Sequence, residues 1–193
     1  MVQSLNLIGW LACVVYSTIP SFWLAIHPRA ESWRSRRRSP YRVLLPLWIA
    51  LWIVAALVTE TWRHVVLYSS LWAWVPAAFL FGAGFWLYSK SGRDFSIQQL
   101  SGIPEVMPGA REQRLITVGI HSRVRHPVYL AHFCEMLTWS LGTGLAVCYA
   151  LTAFAVLSGA VMIRLEDKEL EQRFGEDFNQ YKRSVPAIFP RLH

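Results

Sequence analysis

The stretch Val128–Ile163, VYLAHFCEMLTWSLGTGLAVCYALTAFAVLSGAVMI, carries one charged residue, Glu135. A single straight helix of that length would run about 54 Å, far beyond a hydrocarbon core of roughly 30 Å. The chain must turn within it, and Gly142-Thr143-Gly144 is where the backbone has the freedom to do so. The expected result is a helical hairpin with a short arm, Val128–Leu141, of about 21 Å, and a longer arm, Leu145–Ile163. The short arm cannot cross a bilayer alone. Its start at Arg125-His126-Pro127 is therefore expected below the lipid surface, surrounded by protein.

The rest of the chain has the same character. Of its 193 residues 54% are hydrophobic and 14% aromatic, and the mean hydropathy is positive, which places it among integral membrane proteins. Leu5–Ile26 is a first span, with a kink expected at Pro20. His27–Arg42 then holds Arg29, Arg34, Arg36, Arg37, Arg38 and Arg42 against one acid, Glu31, with Trp33 at an interfacial position. Such a loop belongs on the cytoplasmic side. Val43–Thr59 is a second span, Glu60–His64 a short, nearly neutral connection, and Val65–Tyr88 a third span. Lys90–Pro127, with Gly92, Gly102, Pro104, Pro108 and Gly109, reads as a loop holding at most one helical turn.

These segments add up to an all-α integral membrane protein, a single domain over residues 1–193 with about five transmembrane helices. Residues 1–89 supply three, and residues 90–193 a loop, the hairpin and an amphipathic carboxyl-terminal helix. With the amino terminus outside and the carboxyl terminus inside, every loop obeys the positive-inside rule. The net charge of +7 is accounted for by basic loops facing anionic lipid, and it does not mark a nucleic-acid binder. Cys13, Cys134 and Cys148 stand singly in apolar segments, a pattern that makes neither a metal site nor a disulfide framework. The first span lacks a basic leader and a small-residue cleavage site, so it is expected to be retained.

Beyond the hairpin, the polar segment Arg164–Tyr181 is ordered by one stripe: Leu170, Phe174, Phe178 and Tyr181 recur at helical spacing. One turn back, the stripe lands on Glu166. An acid on a buried stripe, directly after a span, needs a partner. Glu169, Glu171 and Glu176 read as a solvated face, with Glu169 and Arg173 able to pair four residues apart. On the other side of the hairpin, Leu115–Tyr129 sets Arg125, His126 and Tyr129 in close succession, more than orientation or helix capping needs. Arg125 also suits a snorkelling anchor, His126 a capping residue, and Tyr129 and Tyr181 core aromatics. Glu135 is either hydrogen-bonded to a neighbour such as Thr138 or part of a substrate tunnel. His132 and Trp139 read as core.

Taken together, Gly92-Arg93-Asp94-Phe95-Ser96, Leu115-Ile116-Thr117-Val118-Gly119, Arg125-His126-Pro127-Val128-Tyr129 and Glu166-Asp167 with Leu170, Phe174-Gly175, Tyr181 and Pro186 resemble the isoprenylcysteine carboxyl methyltransferases. That family belongs to a wider group of membrane methyltransferases that includes phospholipid methyltransferases. The resemblance covers the carboxyl-terminal half. It implies a pocket for S-adenosylmethionine at the cytoplasmic face, met by Gln113, Arg114, Leu115 and Ile116, by His121, by His126, Pro127, Val128 and Tyr129, and by Glu166, with Gln98 or Gln99 as a further contact. His121 stands where the family usually has Tyr, Ala131 where Gly often follows the motif, and Asp167 where a second Glu is usual. Met162 occupies the position of a substrate-holding Arg, and Arg164 follows two residues later.

The cofactor's chemistry is consistent with these residue types. It needs an acid for its ammonium, a donor for its carboxylate and apolar walls for its adenine: Glu166, then Arg125 or His126, then Leu115, Ile116 and Tyr129. Methyl transfer is an in-line displacement that holding the reactants in place can accelerate strongly. A carboxylate acceptor needs no base, whereas an amine does, and Glu166, Asp167 or His121 would then serve. Glu166, Asp167 and Arg164 are the catalytic candidates. The acceptor is expected to be small or lipid-like and to arrive laterally from the bilayer, while the loop Lys90–Arg125 folds over the cofactor. The rivals are an NADPH-dependent membrane reductase of related fold and a scaffold without activity.

Overall fold

A computed structural model of the chain describes residues 2–35, 41–94 and 114–190. Gln98, Gln99 and Gln113 lie outside the described residues. Seven α-helices appear among those described: α1 Val2–Ile26, α2 Ala30–Arg34, α3 Tyr41–Thr59, α4 Trp74–Asp94, α5 Pro127–Thr143, α6 Ala146–Phe174 and α7 Glu176–Ser184.

α1, α3, α4 and α6 are long and apolar enough to cross a membrane, which makes this a multi-pass membrane protein. α5 has 17 residues, about 25 Å, so the short arm stops short of a full crossing, as its length requires. It is nevertheless the centre of the bundle, packed against α4, α1 and α6, with Ala131, Cys134, Met136 and Thr138 all buried. α3 is the opposite case. It is joined to α1 by hydrogen bonds from Trp48 Nε1 to Thr18 Oγ1 (3.0 Å) and from Trp10 Nε1 to Thr59 Oγ1 (2.9 Å), yet Leu47, Ile53, Leu57 and Val58 are exposed. In water such a surface would be an aggregation site; in a bilayer it is the lipid-facing side.

The hairpin turns where the glycines stand. Gly144 caps α5 with φ +64°, a conformation L side chains rarely adopt. Space is as decisive, since a Cβ there would lie 2.2 Å from the Tyr68 carbonyl oxygen. The segment around Val66 lies on this turn: Leu67 N donates to Gly144 O (2.8 Å), Ala146 N to Val65 O (3.0 Å), and Tyr68 Oη to Leu141 O (2.9 Å). This corrects the expected third span. Residues 65–70 are not helical, because their backbone groups pair with the hairpin turn, and α4 begins only at Trp74. At its other end α4 runs on to Asp94, deeper into the expected loop.

Two further expectations change. α6 is one helix from the membrane arm through the polar segment as far as Phe174, where Gly175 (φ +58°) breaks it and α7 begins. The apolar stripe survives the break, since Phe178, Tyr181 and Val185 form a cluster closed by Leu170, Phe174 and Leu115. Trp33 is not an exposed interfacial ring: it is buried against Ile26 and Leu44 and donates Nε1 to Ala25 O at 3.0 Å.

Candidate functional site

The site is built where α5 starts and α6 turns polar. Pro127 opens α5 at its first position, where no backbone N–H is required. The preceding residue, His126, makes no side-chain cap, so its ring is free to reach across to α6. There it meets two successive acids: Nδ1 lies 3.4 Å from Glu166 Oε2, and Nε2 lies 3.0 Å from Asp167 Oδ1. Arg125 approaches Asp167 from the other side, Nη2 to Oδ2 at 2.7 Å. The result is a compact group of two cations and two anions, with the side chains of His126, Arg125 and Asp167 almost wholly enclosed and that of Glu166 21% exposed.

Charges buried this deeply persist only when paired. Burial alone would drive the proton off His126, but attraction to Glu166 and the hydrogen bond to Asp167 outweigh it, and its pKa is pushed up to about 9. At neutral pH His126 is therefore an imidazolium, hydrogen-bonded to Asp167 and ion-paired with Glu166. Held so, it is a cation and a positioning group, not a proton acceptor.

Arg125 is not a snorkelling anchor. Its guanidinium turns inward and, besides Asp167, donates to the carbonyls of Val185 and Lys182. The backbone N–H groups of Arg125 and His126 donate to Pro186 O and Ala187 O, both at 2.9 Å. The segment after α7 is thereby fastened under the start of α5. Tyr181 adds a further tie, donating its hydroxyl to His121 O at 2.6 Å.

Of the other candidates, Tyr129 stands next to the charged group, its ring centroid 5.9 Å from that of His126, and donates its hydroxyl to Met162 Sδ at 3.2 Å. His121 and Pro127 are buried, Ile116 and Val128 half-buried, and Leu115 packs against the α7 stripe. Arg114 and Arg164 are exposed. Arg164 sits two residues before Glu166, about 200° around the helix from it, and among the described residues it is not in the ion pairs of either acid.

Two readings of neighbouring residues also change. Glu169 is not on a solvated face; it is buried and paired with Arg173, while Glu171 and Glu176 are exposed. Thr138 does not hold Glu135, because its hydroxyl is engaged with Cys134 O and Ala77 O; the Glu135 carboxylate instead lies against Gly84 of α4.

One contributor was missed. His27, in the 3₁₀ turn that ends α1, is buried, stacks on Trp23 with centroids 5.3 Å apart, and lies within electrostatic range of Glu166. Its position at the start of the basic loop was the only sequence signal. Beside the site, an apolar cavity of about 230 Å³ opens between α1, α5 and α6, with Tyr129, His132 and Gly159 in its wall. Among the described residues, no three His, Cys, Asp or Glu side chains form a group able to hold a metal ion.

Comparison with known proteins gives these features a setting. The nickel-cobalt-cadmium resistance protein NccN of Alcaligenes xylosoxydans xylosoxydans is 41% identical over 87 residues, 44% of this chain and 39% of that protein. The cobalt-zinc-cadmium resistance protein CzcN of Cupriavidus metallidurans is 42% identical over 86 residues, with the same two shares. Protein-S-isoprenylcysteine O-methyltransferase of Xenopus laevis is 34% identical over 85 residues, 39% of this chain and 27% of the enzyme. The matches thus span well under half the length of these relatives. No solved structure matches the chain. The model of the ergosterol biosynthesis ERG4/ERG24 family, by contrast, matches residues 8–192, and over that length this chain belongs to that family of membrane proteins, with isoprenylcysteine O-methyltransferases among its distant relatives.

Proposed function

We propose that this protein is a membrane-embedded methyltransferase that uses S-adenosylmethionine and acts on a small or lipid-like acceptor reached from the bilayer. The observation that carries the reading is a pair of unsatisfied polar atoms of opposite kind in the charged group. Glu166 Oε2 is buried and accepts no hydrogen bond, the His126 contact being within ion-pair range but outside hydrogen-bond geometry, and Arg125 Nε is buried and donates none. Buried groups of this sort ordinarily find partners. The amino-acid end of the cofactor offers one for each, an ammonium for Glu166 and a carboxylate for Arg125. Distant relatives named as isoprenylcysteine O-methyltransferases support the same reading.

When bound, the cofactor supplies an electrophilic methyl group on a sulfonium. The chain's own residues bind, orient and exclude water. Asp167 holds Arg125 and His126 in place, so that Glu166 and Arg125 are fixed before any ligand arrives and little reorganisation is needed. The cationic His126 offsets the negative charge of the two acids. Tyr129 and the apolar wall beyond it keep the neighbouring space dry, which strengthens every electrostatic contact there.

The 3₁₀ turn His27–Arg29 packs against α6, so the site shares one end of the bundle with the Arg-rich loop. By the positive-inside rule that end is cytoplasmic, with the amino terminus outside.

A second reading, reduction with NADPH, is favoured by the family's place in ergosterol biosynthesis. Calorimetric titration of the purified protein in detergent with S-adenosylmethionine and with NADPH separates the two. Saturable binding of the former is expected; binding of NADPH alone would overturn the methyltransferase reading.

A further inference from the structure

The cavity beside Tyr129 has a wall with a particular chemistry. It is formed by α1, α5 and α6 and closed at one side by Ile188 and Phe189. No Lys, Arg, Asp or Glu among the described residues lines it; its polar groups are the hydroxyls of Tyr16 and Tyr129 and the ring of His132. A carboxylate or an ammonium placed here would be an unpaired charge in an apolar setting, which is strongly disfavoured.

His132 is the group that sets what the cavity does accept. Its Nδ1 lies 2.6 Å from Val128 O. A carbonyl only accepts, so Nδ1 carries the hydrogen, and in the neutral ring Nε2 is then a lone-pair acceptor. No protein donor among the described residues bonds Nε2. Instead the ring is enclosed by aromatic neighbours, with centroids 5.2 Å from Tyr16, 5.4 Å from Tyr88 and 6.1 Å from Tyr129. With the contact between His126 and Tyr129, these rings run from the charged group down α5 to His132, about 9 Å along the helix.

We propose that this cavity takes the apolar tail of an amphiphile and that His132 selects for a head group that is uncharged and carries a hydrogen-bond donor: an alcohol, a phenol, a thiol or a neutral amine, not a carboxylate. The binding claim stands on the cavity alone; that such a molecule is the methyl acceptor rests on the function proposed above.

The test uses the whole protein in lipid nanodiscs without cofactor and three probes of equal chain length: 1-decanol, methyl decyl ether and decanoate. Binding is read by saturation-transfer NMR. The background is the variant Gly159→Leu, whose first added carbon meets only Pro20 Cγ, at 3.9 Å, and whose longer side chain fills the cavity. In the wild type, decanol is expected to bind about tenfold more tightly than either other probe, the worth of one net hydrogen bond in a dry site. His132→Phe should bring decanol down to the level of the ether and leave the ether unchanged. Decanoate binding as well as decanol in the wild type overturns the proposal, as does an unchanged alcohol preference in His132→Phe. If His132→Phe does not fold, the wild-type comparison decides by itself. S-adenosylmethionine is titrated separately: no binding of it alongside a clear preference for decanol would overturn the cofactor reading and leave the pocket assignment standing.

Discussion

His126 Nε2 lies 3.0 Å from Asp167 Oδ1, on the opposite side of the ring from Glu166. One imidazolium thus ties the start of α5 to two successive carboxylates of α6, forty residues further along the chain. The two acids have different surroundings. Asp167 is engaged by both Arg125 and His126, whereas Glu166 keeps one oxygen without a hydrogen bond. The first acid is placed to hold the site together and the second to hold a ligand.

Glu166→Gln should therefore leave the fold intact and weaken S-adenosylmethionine binding by roughly 1.5–3 kcal/mol, the range of a charge-assisted hydrogen bond. Calorimetry measures it. An unchanged dissociation constant would remove Glu166 from the cofactor site.

Asp167→Asn should act on stability first. It strips the charge partner from Arg125 and from His126 in a buried setting, where breaking one member of a pair costs about 3–5 kcal/mol. Thermal unfolding in detergent should show a clear drop in midpoint. A double-mutant cycle with Arg125→Met should show coupling between the two positions, because they share one contact; strictly additive effects would contradict the geometry.

The elevated pKa of His126 gives a pH dependence of definite sign. The folded protein holds a proton up to pH about 9, whereas the unfolded chain releases it near 6.5. The stabilisation is fully present below about pH 6.5, declines as pH rises, and is lost past about 9, with a total of roughly 3 kcal/mol. Unfolding midpoints between pH 6 and 10 should fall accordingly, and His126→Gln should flatten the curve. A wild-type profile that rises over that range would refute the assignment.

Gly144→Ala tests the hairpin. The substitution places a Cβ against the Tyr68 carbonyl and forces an L side chain into positive φ, so a loss of more than about 1 kcal/mol is expected. Gly92→Ala, in α4 with open space around its Cβ position, should be neutral or stabilising. Equal behaviour of the two variants would show that the turn is not as described.

Topology is checked by cysteine labelling after the three buried native cysteines are replaced. A cysteine at Ser35, after α2, should react only from the cytoplasmic side, and one at the exposed Ser69 only from outside. The reverse pattern would invert the orientation and put the charged site on the other face.

The parts of this protein that were legible in its sequence are those set by local physics. The length of an uncharged run against the thickness of a bilayer fixes where spans lie, and the Gly-Thr-Gly interruption in Val128–Ile163 is enough to place the hairpin turn. The stripe Leu170, Phe174, Phe178, Tyr181 identified one buried face even though Gly175 splits the helix that carries it. Arg125, His126, Glu166 and Asp167 were all singled out as candidates, and the structure brings those four into one group. What the tertiary structure alone decided are pairings between distant segments. Periodicity shows which face of a helix is buried, not which group waits on the other side. Arg125 turns inward because Asp167 and the carbonyls after α7 are there to receive it; Arg164 stays exposed and is not in the ion pairs of either acid. His27 approaches Glu166 only because α1 packs beside α6. Val65–Ser70 looks like the start of a span by composition, yet its backbone groups are drawn into hydrogen bonds with the hairpin turn some eighty residues later. A backbone group leaves a helix where a better partner is present, and that partner exists only once the chain has folded.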